Sequence, residues 1–494
     1  MTPHDPVSRR RLLVAGASLG ALSLAGCATP ASGPSIGRVV VVGGGFGGAT
    51  AAHYLRLWGG NVDVTLVDRN PGFISCPISN LVVGGFRQLS DITRGYDGLK
   101  AAGVRVVQGE VVAIDASART VRLAGGQVLA YDRLVVSPGV DFIGDAIGGL
   151  ATPAAQAKIL HAWKAGAQTV ALHRQLADMR DGGVYAISIP KAPYRCPPGP
   201  YERACTVAAY LKQAKPRSKV LVLDANPEVQ SKKALFEKAF KDRYDGLLEY
   251  RPNAELKEVE AAGGVARLEF EDVKADVLNV VPPQRAGEIA RSAGLVNVNA
   301  RWVGVNWLTM ESTAVPGVHV LGDATFPAPG MPKSGHMANQ HAKVAAAAIV
   351  QLLKGEAVNA APVVTNTCYS FVSASEVIHV ASVDGIAVNP LETYSDAASK
   401  AGLIHLTRRM SLRLIEDHIV VSAIAPGAFA SDMNRAARDH GDDVARRIPA
   451  QRIGTAEDMA GAAIYLASRA GDYVVGETLV VDGGVSLSTV SRPS

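Results

Sequence analysis

The chain has 494 residues, 48% of them hydrophobic, and its 50 Lys and Arg against 45 Asp and Glu leave a formal net charge of +5. Such a length favours two or three domains, and so weak a charge, with no basic run interleaved with aromatic residues, excludes a basic nucleic-acid-binding protein. The five cysteines are scattered without Cys-x-x-Cys spacing, which excludes a zinc ribbon and a haem carried covalently on this chain.

The first 35 residues are predicted to be an export signal. Ser8-Arg9-Arg10-Arg11-Leu12-Leu13 opens an apolar run that ends near Leu24, too short to span a bilayer, and Leu24-Ala25-Gly26-Cys27 follows. This pattern resembles a twin-arginine signal with a lipoprotein-type cleavage box, and that route exports folded proteins. We therefore expect a periplasmic protein with no transmembrane span and with Cys27 as a candidate lipid anchor. Cleavage within residues 28–35, or a chance basic and apolar N-terminus, are the alternatives.

Residues 39–68 predict a dinucleotide-binding strand–helix–strand unit. A run of four valines leads into Gly43, Gly45 and Gly48, an alanine-rich helix follows, and a second apolar strand ends at Asp68. The glycines allow a tight turn and the close approach of a pyrophosphate, and the helix N-terminus supplies free N–H groups. The acid is placed to accept hydrogen bonds from an adenosine ribose. A purely structural α/β turn is the alternative.

The chain that follows is predicted to complete this first unit. Cys76 lies in the loop after the second strand, and a later apolar strand breaks at Ser137-Pro138-Gly139, a turn that would return the chain past a cofactor. A strand is also predicted at 104–107, a hairpin at 121–129 and a helical stretch at 152–179.

The next segment predicts a second α/β unit, with strands at 184–189 and 219–224 and a helix at about 201–215. A nicotinamide-binding turn would need a second set of glycines after the first of these strands. Here the turn holds Cys196 among prolines up to Glu202, and prolines remove N–H donors and obstruct the approach of phosphates. The pattern predicts that a cysteine has replaced a nicotinamide site.

Residues 317–355 predict a further strand and helix. The strand ends at Gly322-Asp323, the loop Met331-Pro332-Lys333-Ser334-Gly335 follows, and an alanine-rich helix comes next. The N-terminus of that helix would place positive potential at the loop. Asp323 is either a ligand-binding acid or an ordinary turn acid, and Lys333 is either a binding residue or a solvated loop lysine.

Several motifs together resemble the flavoprotein subunit of flavocytochrome c sulfide dehydrogenase, and the resemblance covers residues 37–380. The motifs are Cys76, Cys196-Pro197-Pro198-Gly199-Pro200-Tyr201-Glu202-Arg203, Pro282-Pro283-Gln284-Arg285-Ala286-Gly287, Gly322-Asp323, Met331-Pro332-Lys333-Ser334-Gly335 and Thr365-Asn366-Thr367-Cys368-Tyr369-Ser370. The resemblance implies an α/β protein with two dinucleotide-binding, Rossmann-type domains of the flavoprotein disulfide reductase kind.

The resemblance also implies the cofactor, the substrate and the roles of individual residues. FAD would be attached covalently through Cys76, with the Asp323 carboxylate on its ribityl chain and Lys333 near the flavin ring. The cysteines at 196 and 368 would form a redox-active disulfide over the flavin, with Glu202 as a base. Sulfide would be the substrate, and electrons would leave to a separate c-type cytochrome subunit.

The chemistry of sulfide agrees with a disulfide at this place. Sulfide gives two electrons but has no hydride to give, so an enzyme needs an electrophilic sulfur to receive it. Attack yields a persulfide and a thiolate, from which both electrons can pass to a flavin. Inert buried cysteines are the alternative for Cys196 and Cys368, and Cys205 is interpreted as core packing. His336 and His341, without metal-ligand spacing, are interpreted as helix-surface or cofactor-adjacent polar groups, and no metal site is predicted.

From about Ala381 the sequence is similar instead to the C-terminal half of a short-chain dehydrogenase/reductase. The other half of such an enzyme, with its nucleotide-binding glycines and catalytic serine, is absent. The Tyr-x-x-x-Lys pair would need a tyrosine where Asp396 precedes Lys400, and Tyr394 lies two residues early. We therefore expect this tail to be inactive as a reductase. Half of a doubly wound sheet cannot cover its own faces, so the tail is packed against the flavoprotein part, paired with another chain, or poorly ordered. Gene fusion and a misassembled reading frame explain it equally well.

The predicted organisation is an export signal, a FAD-binding domain in two parts, a second dinucleotide-type domain, a remnant of the flavoprotein C-terminal domain, and the reductase-like tail. Their residues are, in that order, 1–35, 36–150 with 286–355, 151–285, 356–381 and 382–494. The predicted function is FAD-dependent oxidation of sulfide with a c-type cytochrome as acceptor. The alternatives are a sulfide:quinone oxidoreductase-like enzyme and a catalytically impaired flavin-binding fusion protein.

Overall fold

The structure is a computed structural model that describes residues 34–362, 364, 366, 368–378, 394–430 and 434–487. For residues 394–401, 435 and 487 only the backbone is described. The predicted export signal up to residue 33, its candidate anchor Cys27, and the change of sequence character near Ala381 lie outside the described residues.

The described residues contain the following α-helices, in chain order. They are α1 (Phe46–Gly59), α2 (Ser79–Val83), α3 (Asp97–Ala101), α4 (Pro153–Lys158), α5 (Ala167–Asp178), α6 (Gly199–Ala214), α7 (Lys233–Tyr244), α8 (Glu288–Ser292), α9 (Gly335–Lys354), α10 (Tyr394–Leu414), α11 (Arg435–Asp439), α12 (Gly441–Ala445) and α13 (Ala456–Ala467).

The strands up to residue 142 belong to the first unit and its attached hairpins. They are β1 (Gly37–Val42), β2 (Val62–Asp68), β3 (Phe73–Ile74), β4 (Thr93–Arg94), β5 (Arg105–Gln108), β6 (Val111–Asp115), β7 (Thr120–Leu123), β8 (Val128–Ala130), β9 (Arg133–Val136) and β10 (Val140–Phe142). The later strands are β11 (Val184–Ile189), β12 (Lys219–Asp224), β13 (Leu248–Arg251), β14 (Glu258–Glu260), β15 (Val265–Arg267), β16 (Asp272–Lys274), β17 (Val277–Val280), β18 (Gln284–Ala286), β19 (Val305–Asn306), β20 (Glu311–Ser312), β21 (Val318–Val320), β22 (Ser370–Phe371), β23 (Val377–Ile378), β24 (Ala423–Pro426) and β25 (Thr478–Val481).

The first unit is built on a seven-stranded sheet in the order β19-β20-β21-β9-β1-β2-β5. Strands β21, β9, β1, β2 and β5 run parallel, and Val41 of β1 lies opposite Leu66 of β2 and Val135 of β9. The four valines of β1 are all buried, as expected for a central strand of a parallel sheet. Helix α9, from far along the chain, packs against α1 and so completes this unit.

The second unit is a four-stranded parallel sheet in the order β13-β12-β11-β17, with α6 packed on β12 and against α7. Strands β11 and β12 have the predicted bounds. Helix α6 begins at Gly199, slightly earlier than predicted, because Pro200 is tolerated in the first turn of a helix. The predicted α/β class, with two parallel-sheet units and a partial third, is confirmed.

The helical stretch predicted at 152–179 is wrong in its middle, where an irregular segment separates α4 from α5. Arg203 of α6 gives the physical reason. Its buried guanidinium donates to the backbone oxygens of His161, at 2.8 Å, and Ala162, at 2.6 Å. These carbonyls therefore turn towards α6 instead of continuing a helix, and Ala162 adopts a φ of +43°.

The reductase-like tail packs against the flavoprotein part, which is the first of the three alternatives. Ile419 and Val421 join Leu81 and Phe371 in one buried apolar cluster. Beside this cluster Arg87 pairs with Asp417 at 2.9 Å, and the Tyr369 hydroxyl lies 2.9 Å from that of Thr407. The tail thus covers the region around α2 and the residues that directly follow Cys368.

The tail itself has only two paired strands among its described residues, β24 and β25, which run parallel. Leu412, Ile464 and Tyr473 remain exposed, as expected when half of a sheet lacks its other half. The side chains of Tyr394, Asp396 and Lys400, on α10, lie outside the described residues. Across the described ranges, none of the helices is both long and apolar enough to cross a membrane.

Candidate functional site

The glycine turn after β1 is closed by contacts that only glycine permits. Gly43 has a φ of +94°, and a Cβ there would lie 2.4 Å from the Ser137 backbone oxygen. A Cβ on Gly48 would lie 1.8 Å from the Gly43 oxygen, so α1 sits directly on the turn. Beside Gly45, in contrast, there is open space. The turn therefore leaves room for a ligand at the N-terminus of α1, where N–H groups are free.

Asp68, the last residue of β2, ties the glycine turn to the second strand. One carboxylate oxygen accepts from the Gly44 N–H at 2.6 Å, and the other accepts from the Asn70 N–H at 2.7 Å. Each oxygen retains a further lone pair. Asp68 therefore retains acceptors for hydroxyl groups of a ligand at the turn, and its role towards a ribose stays a prediction.

Asp323 supplies a second acceptor at the same sheet edge, directly after β21. Its Oδ1 is fully buried and has no hydrogen-bond partner among the described residues. Burial raises the pKa of this carboxyl group, against the opposing effects of Arg195 and Lys333. A buried acceptor without a donor needs one, and a ligand hydroxyl would provide it. Two neighbouring strands, β9 and β21, are followed at this edge by turns that contain Gly139 and Gly322, and both glycines have positive φ.

Lys333 is buried, so the alternative of a solvated loop lysine is wrong. Its Nζ donates to the backbone oxygens of Asp323, at 2.9 Å, and Thr325, and lies 3.7 Å from the ring centre of Trp302. Burial lowers the pKa of Lys333 to about 7. The lysine thus shapes the Asp323 turn, and the next residue, Ser334, caps α9 by accepting from the Met337 N–H at 3.0 Å.

His341 is also buried, on the inner face of α9. Its Nδ1 accepts from the Gly322 N–H at 3.2 Å, and burial lowers its pKa to about 4. Of the two roles left open for it, a helix-surface group does not fit. A polar group beside residues 322–335, which we call the cofactor turn, does fit. His336 is partly buried beside Gln340. Within the described residues, no group of three or more His, Cys, Asp and Glu side chains is placed to hold a metal ion.

These features fit a dinucleotide cofactor of the FAD kind. The open space at Gly45, the acceptors of Asp68, and the unpartnered oxygen of Asp323 all lie at the carboxyl edge of the parallel strands, where such sheets bind their ligands. The N-terminus of α9 adds positive potential at the same edge.

Cys76 lies in the loop before α2, between the two units. Its Sγ accepts from the Ala165 N–H at 3.3 Å and from Nη2 of Arg195 at 3.4 Å. Arg195 also contributes to the electrostatic environment of Asp323. The thiol therefore lies next to a partly buried cation, Arg195, that we did not predict and that also acts on Asp323.

Cys196 and Cys368 come from distant parts of the chain and lie in one electrostatic environment. Cys196 has a left-handed φ of +59° and donates its N–H to the Lys333 oxygen at 2.7 Å, which joins it to the cofactor turn. Burial raises the pKa of the Cys196 thiol, and the nearby Glu202 and Cys368 raise it further. The described cysteines, Cys76, Cys196, Cys205 and Cys368, are all free thiols.

Glu202 lies beside the two cysteines, on the first turn of α6. Its buried carboxyl group accepts from the Asn80 amide at 3.1 Å and from the Phe371 N–H, three residues after Cys368. Burial raises the pKa of Glu202 to about 7. A carboxyl group with such a pKa can take or give a proton near neutral pH. Cys205, one turn further along α6, is fully buried in the core of the second unit.

Lys232, which we did not predict, faces the same place. Its Nζ donates to the Ser370 hydroxyl at 2.8 Å, and Cys368, Glu202 and Cys196 all act on its charge. No local signal marks it, because a Lys-Lys pair before a helix is typical of a solvated helix end. Asn80 and Arg203, which hydrogen-bond each other at 2.9 Å and hold Glu202 in place, were not predicted either.

Three family models match successive parts of the chain, none of them as much as half of it. Residues 37–166 match "Pyridine nucleotide-disulphide oxidoreductase", and residues 169–282 match "Sulfide dehydrogenase [flavocytochrome c] flavoprotein chain, central". Residues 337–486 match "Enoyl-(Acyl carrier protein) reductase". The flavoprotein matches imply a flavin cofactor for the first two units, which agrees with the pocket just described.

Curated relatives match the tail. A 3-oxoacyl-[acyl-carrier-protein] reductase from Rickettsia bellii is 37% identical over 110 residues, which are 22% of this chain and 45% of the relative. A 2-dehydro-3-deoxy-D-gluconate 5-dehydrogenase from Formosa agariphila is 38% identical over 126 residues, 24% of this chain and 47% of the relative. The chain thus spans about half the length of these relatives.

Solved structures resemble the flavoprotein part. The sulfide:quinone oxidoreductase of Aquifex aeolicus superposes with a TM-score of 0.62 at 21% identity, over 77% of this chain and 91% of that one. A NAD-dependent persulfide reductase from A. fulgidus has a TM-score of 0.52 at 20% identity, over 67% of this chain and 61% of that one. The chain therefore has the fold of the flavoprotein disulfide reductases, followed by a segment like a short-chain dehydrogenase/reductase.

Proposed function

We propose that this chain is an FAD-dependent sulfide dehydrogenase that passes electrons from sulfide, through a cysteine pair and the flavin, to a c-type cytochrome. The observation that carries the proposal is the convergence of Cys196, Cys368 and Glu202 beside the cofactor turn, to which Cys196 is joined by its hydrogen bond to Lys333. The match of residues 169–282 to a sulfide dehydrogenase flavoprotein supports the choice of substrate.

The working form of the pair would be a disulfide. Hydrosulfide attacks one sulfur and forms a new S–S bond, the Cys196–Cys368 bond breaks, and its electron pair leaves on the other cysteine as a thiolate. Glu202 accepts the S–H proton of the persulfide. A second hydrosulfide then removes the outer sulfur as hydrogen disulfide, HS₂⁻, which leaves two reduced cysteines.

The chain's residues hold the cofactor that completes the cycle. Gly43, Gly45 and Gly48 would cradle the pyrophosphate, Asp68 the ribose and Asp323 the ribityl chain, with a covalent bond at Cys76. Bound FAD would supply the two-electron oxidant that returns the cysteine pair to the disulfide, and two equivalents of a one-electron acceptor would reoxidise it. Lys333 keeps the Asp323 turn in place, and Glu202 receives and returns protons at the sulfur site.

Sulfide-dependent reduction of the flavin tests this function. Under anaerobic conditions, sulfide should bleach the visible flavin absorbance of the purified holoprotein, and added c-type cytochrome should restore it. Lack of bleaching would favour the impaired flavin-binding fusion. Recovery with a short-chain quinone but not with cytochrome would favour the sulfide:quinone oxidoreductase-like alternative.

Replacing Glu202 by glutamine is expected to lower kcat by roughly 10² to 10⁴ without abolishing flavin reduction. With a pKa of about 7, the carboxylate that accepts the proton grows in population as pH rises through neutrality. The wild-type kcat should therefore rise through pH 7 and level off above it, and the amide of the Glu202→Gln variant, which cannot titrate, should remove this limb. The measurement is the pH profile of kcat. The profile of kcat/KM is unsuitable because the free substrate also changes its protonation state near neutral pH.

Glu228→Gln is the matched control for that experiment. Glu228 is an exposed acid that pairs with Lys233 at 2.8 Å, so its loss should leave both kcat and the pH limb unchanged. A Glu202→Gln enzyme with the full wild-type profile would contradict the assignment of the base.

The tail is expected to show no NADH- or NADPH-dependent reductase activity in the full chain. A tyrosine serves such enzymes because a neighbouring lysine lowers its pKa enough for proton exchange with an alcohol or carbonyl. An aspartate at position 396 has a carboxyl group in place of the phenol and is shorter, and the sequence before this segment does not resemble the half that binds nucleotide. Saturable binding of NADH or NADPH tighter than roughly millimolar, or any turnover that Lys400→Ala removes, would contradict this expectation.

We also propose export by the twin-arginine route to the periplasm, with lipid attachment at Cys27 as its membrane anchor. The support is the sequence of the first 35 residues, and the need for a protein to acquire FAD before crossing a membrane is consistent with a route for folded proteins. Replacing Arg9, Arg10 and Arg11 by lysine and following the protein between cell fractions tests the route.

A further inference from the structure

Lys232 brings a cation to the sulfur site from an element that carries none of the catalytic residues. It lies directly before α7, and its Nζ donates to the hydroxyl of Ser370, two residues after Cys368. The next residue of strand β22, Phe371, donates its N–H to Glu202. Lys232 and Glu202 therefore both contact the strand that follows Cys368.

The backbone at Lys232 is held in a conformation that a residue with a side chain rarely adopts. Its φ is +53° and ψ is 40°, in the left-handed region, while its carbonyl accepts from the N–H groups of Leu235 and Phe236 at 3.0 Å. Cys196 has the same kind of backbone, with φ of +59°. Strained non-glycine residues concentrate at functional sites because the surrounding structure must hold them in place. Two of them face this one site.

Three other cations near the site are already engaged with acceptors. Arg195 donates to the Trp163 backbone oxygen and to Cys76 Sγ. Arg203 donates to Asn80, Asn279 and two backbone oxygens, and Lys333 donates to two backbone oxygens on the cofactor turn. Among the described residues, the Lys232 ammonium has one hydrogen-bond acceptor, the Ser370 hydroxyl, although an ammonium carries three donors. Within that part of the chain, its remaining N–H groups have no acceptor and can donate to a ligand.

The charges around Lys232 suit an anion that arrives and leaves. Burial lowers the pKa of Lys232, and Cys368, Glu202 and Cys196, the titratable groups that act on it, raise it again. When the two cysteines are joined in a disulfide, neither can carry a negative charge, and Glu202 is the one of these three groups that remains as a counter-ion. The disulfide form therefore has less negative charge around Lys232 than a form with a cysteine thiolate, which favours the binding of an anion such as hydrosulfide.

We propose that Lys232 is the anion-binding residue of the sulfur site and holds hydrosulfide, and the small anionic sulfur products, beside Cys368. The identity of the substrate rests on the proposed function. The role of the lysine, attraction of a small anion to the Cys368 sulfur, rests on its contacts and charge and can be measured without sulfide.

Alkylation of the reduced holoprotein provides that measurement. Iodoacetate is an anion and iodoacetamide is neutral, and both react with the thiolate, so the ratio of their rates at Cys368 cancels any change in thiolate population. In Lys232→Met we expect this ratio to fall about tenfold, as removal of one nearby unit charge implies. Lys232→Arg should keep the wild-type ratio. Peptide mass analysis of Cys368 after timed quenching gives both rates.

Lys233→Met is the matched control, because Lys233 is the next residue, is exposed and pairs with Glu228 at 2.8 Å. Its ratio should remain that of the wild type. If Lys232→Met does not fold, Lys232→Gln, which can still donate to Ser370, should give the same fall in ratio. A Lys232 variant in which both alkylation rates change together, with the ratio unchanged, would show a purely structural lysine and overturn the proposal.

Sulfide kinetics identify the ligand. In Lys232→Met the KM for sulfide should rise about tenfold with a smaller change in kcat, and added salt should narrow the difference from wild type. An unchanged KM alongside intact turnover would overturn the role of Lys232 alone. Absence of turnover in the wild type would instead overturn the proposed function, and with it the substrate named here, whatever the alkylation ratio shows.

Discussion

Replacing Cys368 by serine is expected to abolish the reduction of bound FAD by sulfide, and replacing Cys196 is expected to do the same. A hydroxyl group cannot form the electrophilic S–S bond that hydrosulfide attacks, so the first step has no acceptor. Stopped-flow measurement of the flavin absorbance after anaerobic mixing with sulfide gives the rate directly. We expect a loss to the level of the uncatalysed reaction in either variant, far larger than that of Glu202→Gln.

Cys205→Ser is the control for a general effect of replacing a cysteine in α6. Cys205 is packed in the core of the second unit, and the change should cost stability but leave flavin reduction in place. Thermal unfolding followed in parallel separates the two effects. Full turnover by Cys368→Ser would remove the cysteine pair from the mechanism.

The second large effect concerns Cys76. In the wild type we expect the yellow colour to stay with the protein after acid precipitation, since a thioether to the flavin survives denaturation. In Cys76→Ser we expect all of it in the supernatant, because no other described cysteine lies at the loop that faces Arg195 and Ala165. Absorbance of pellet and supernatant is the measurement.

Cys196→Ser is the control for attachment, and its flavin should remain in the pellet. Release of all colour from the wild type would show that FAD is held by contacts alone, through the glycine turn, Asp68 and Asp323. That outcome would leave the proposed sulfide chemistry untouched, because it uses the other two cysteines.

The parts of the fold that the sequence predicted are those in which neighbouring residues determine the structure. The valine run, the glycines and Asp68 form one local unit, and the structure builds it with β1, α1 and β2 at the expected places. The bounds of β11 and β12 were predicted for the same reason, since a short apolar run between turn residues is a local signal.

The rest depended on contacts between distant residues. The helix predicted at 152–179 breaks because Arg203 takes its carbonyls, and nothing within that stretch indicates a partner on α6. Lys232 was not identified from the sequence for the same reason. Lys333 could not be placed from the sequence either, because its burial depends on Trp302 and on the Asp323 turn.

The packing of the tail was another matter that the sequence left open. An incomplete sheet leaves apolar faces uncovered. Only the contacts of Ile419 and Val421 with Leu81 and Phe371 show which surface of the flavoprotein part covers some of these faces. The family resemblance identified the cysteines and Glu202 as candidate site residues. It could not supply the hydrogen bonds that connect them to their surroundings.

The order of strands in the first sheet has a consequence for biosynthesis. Strand β9 gains its second neighbour, β21, and α1 gains its cover, α9, only when the ribosome has passed residue 354. Until then the nascent chain presents an unpaired valine-rich edge and has no Asp323 turn. Such non-local pairing folds slowly and exposes aggregation-prone surface. The site that would bind the cofactor is therefore complete only after residue 354 has been synthesised, so cofactor binding cannot assist the folding of the earlier part of the chain.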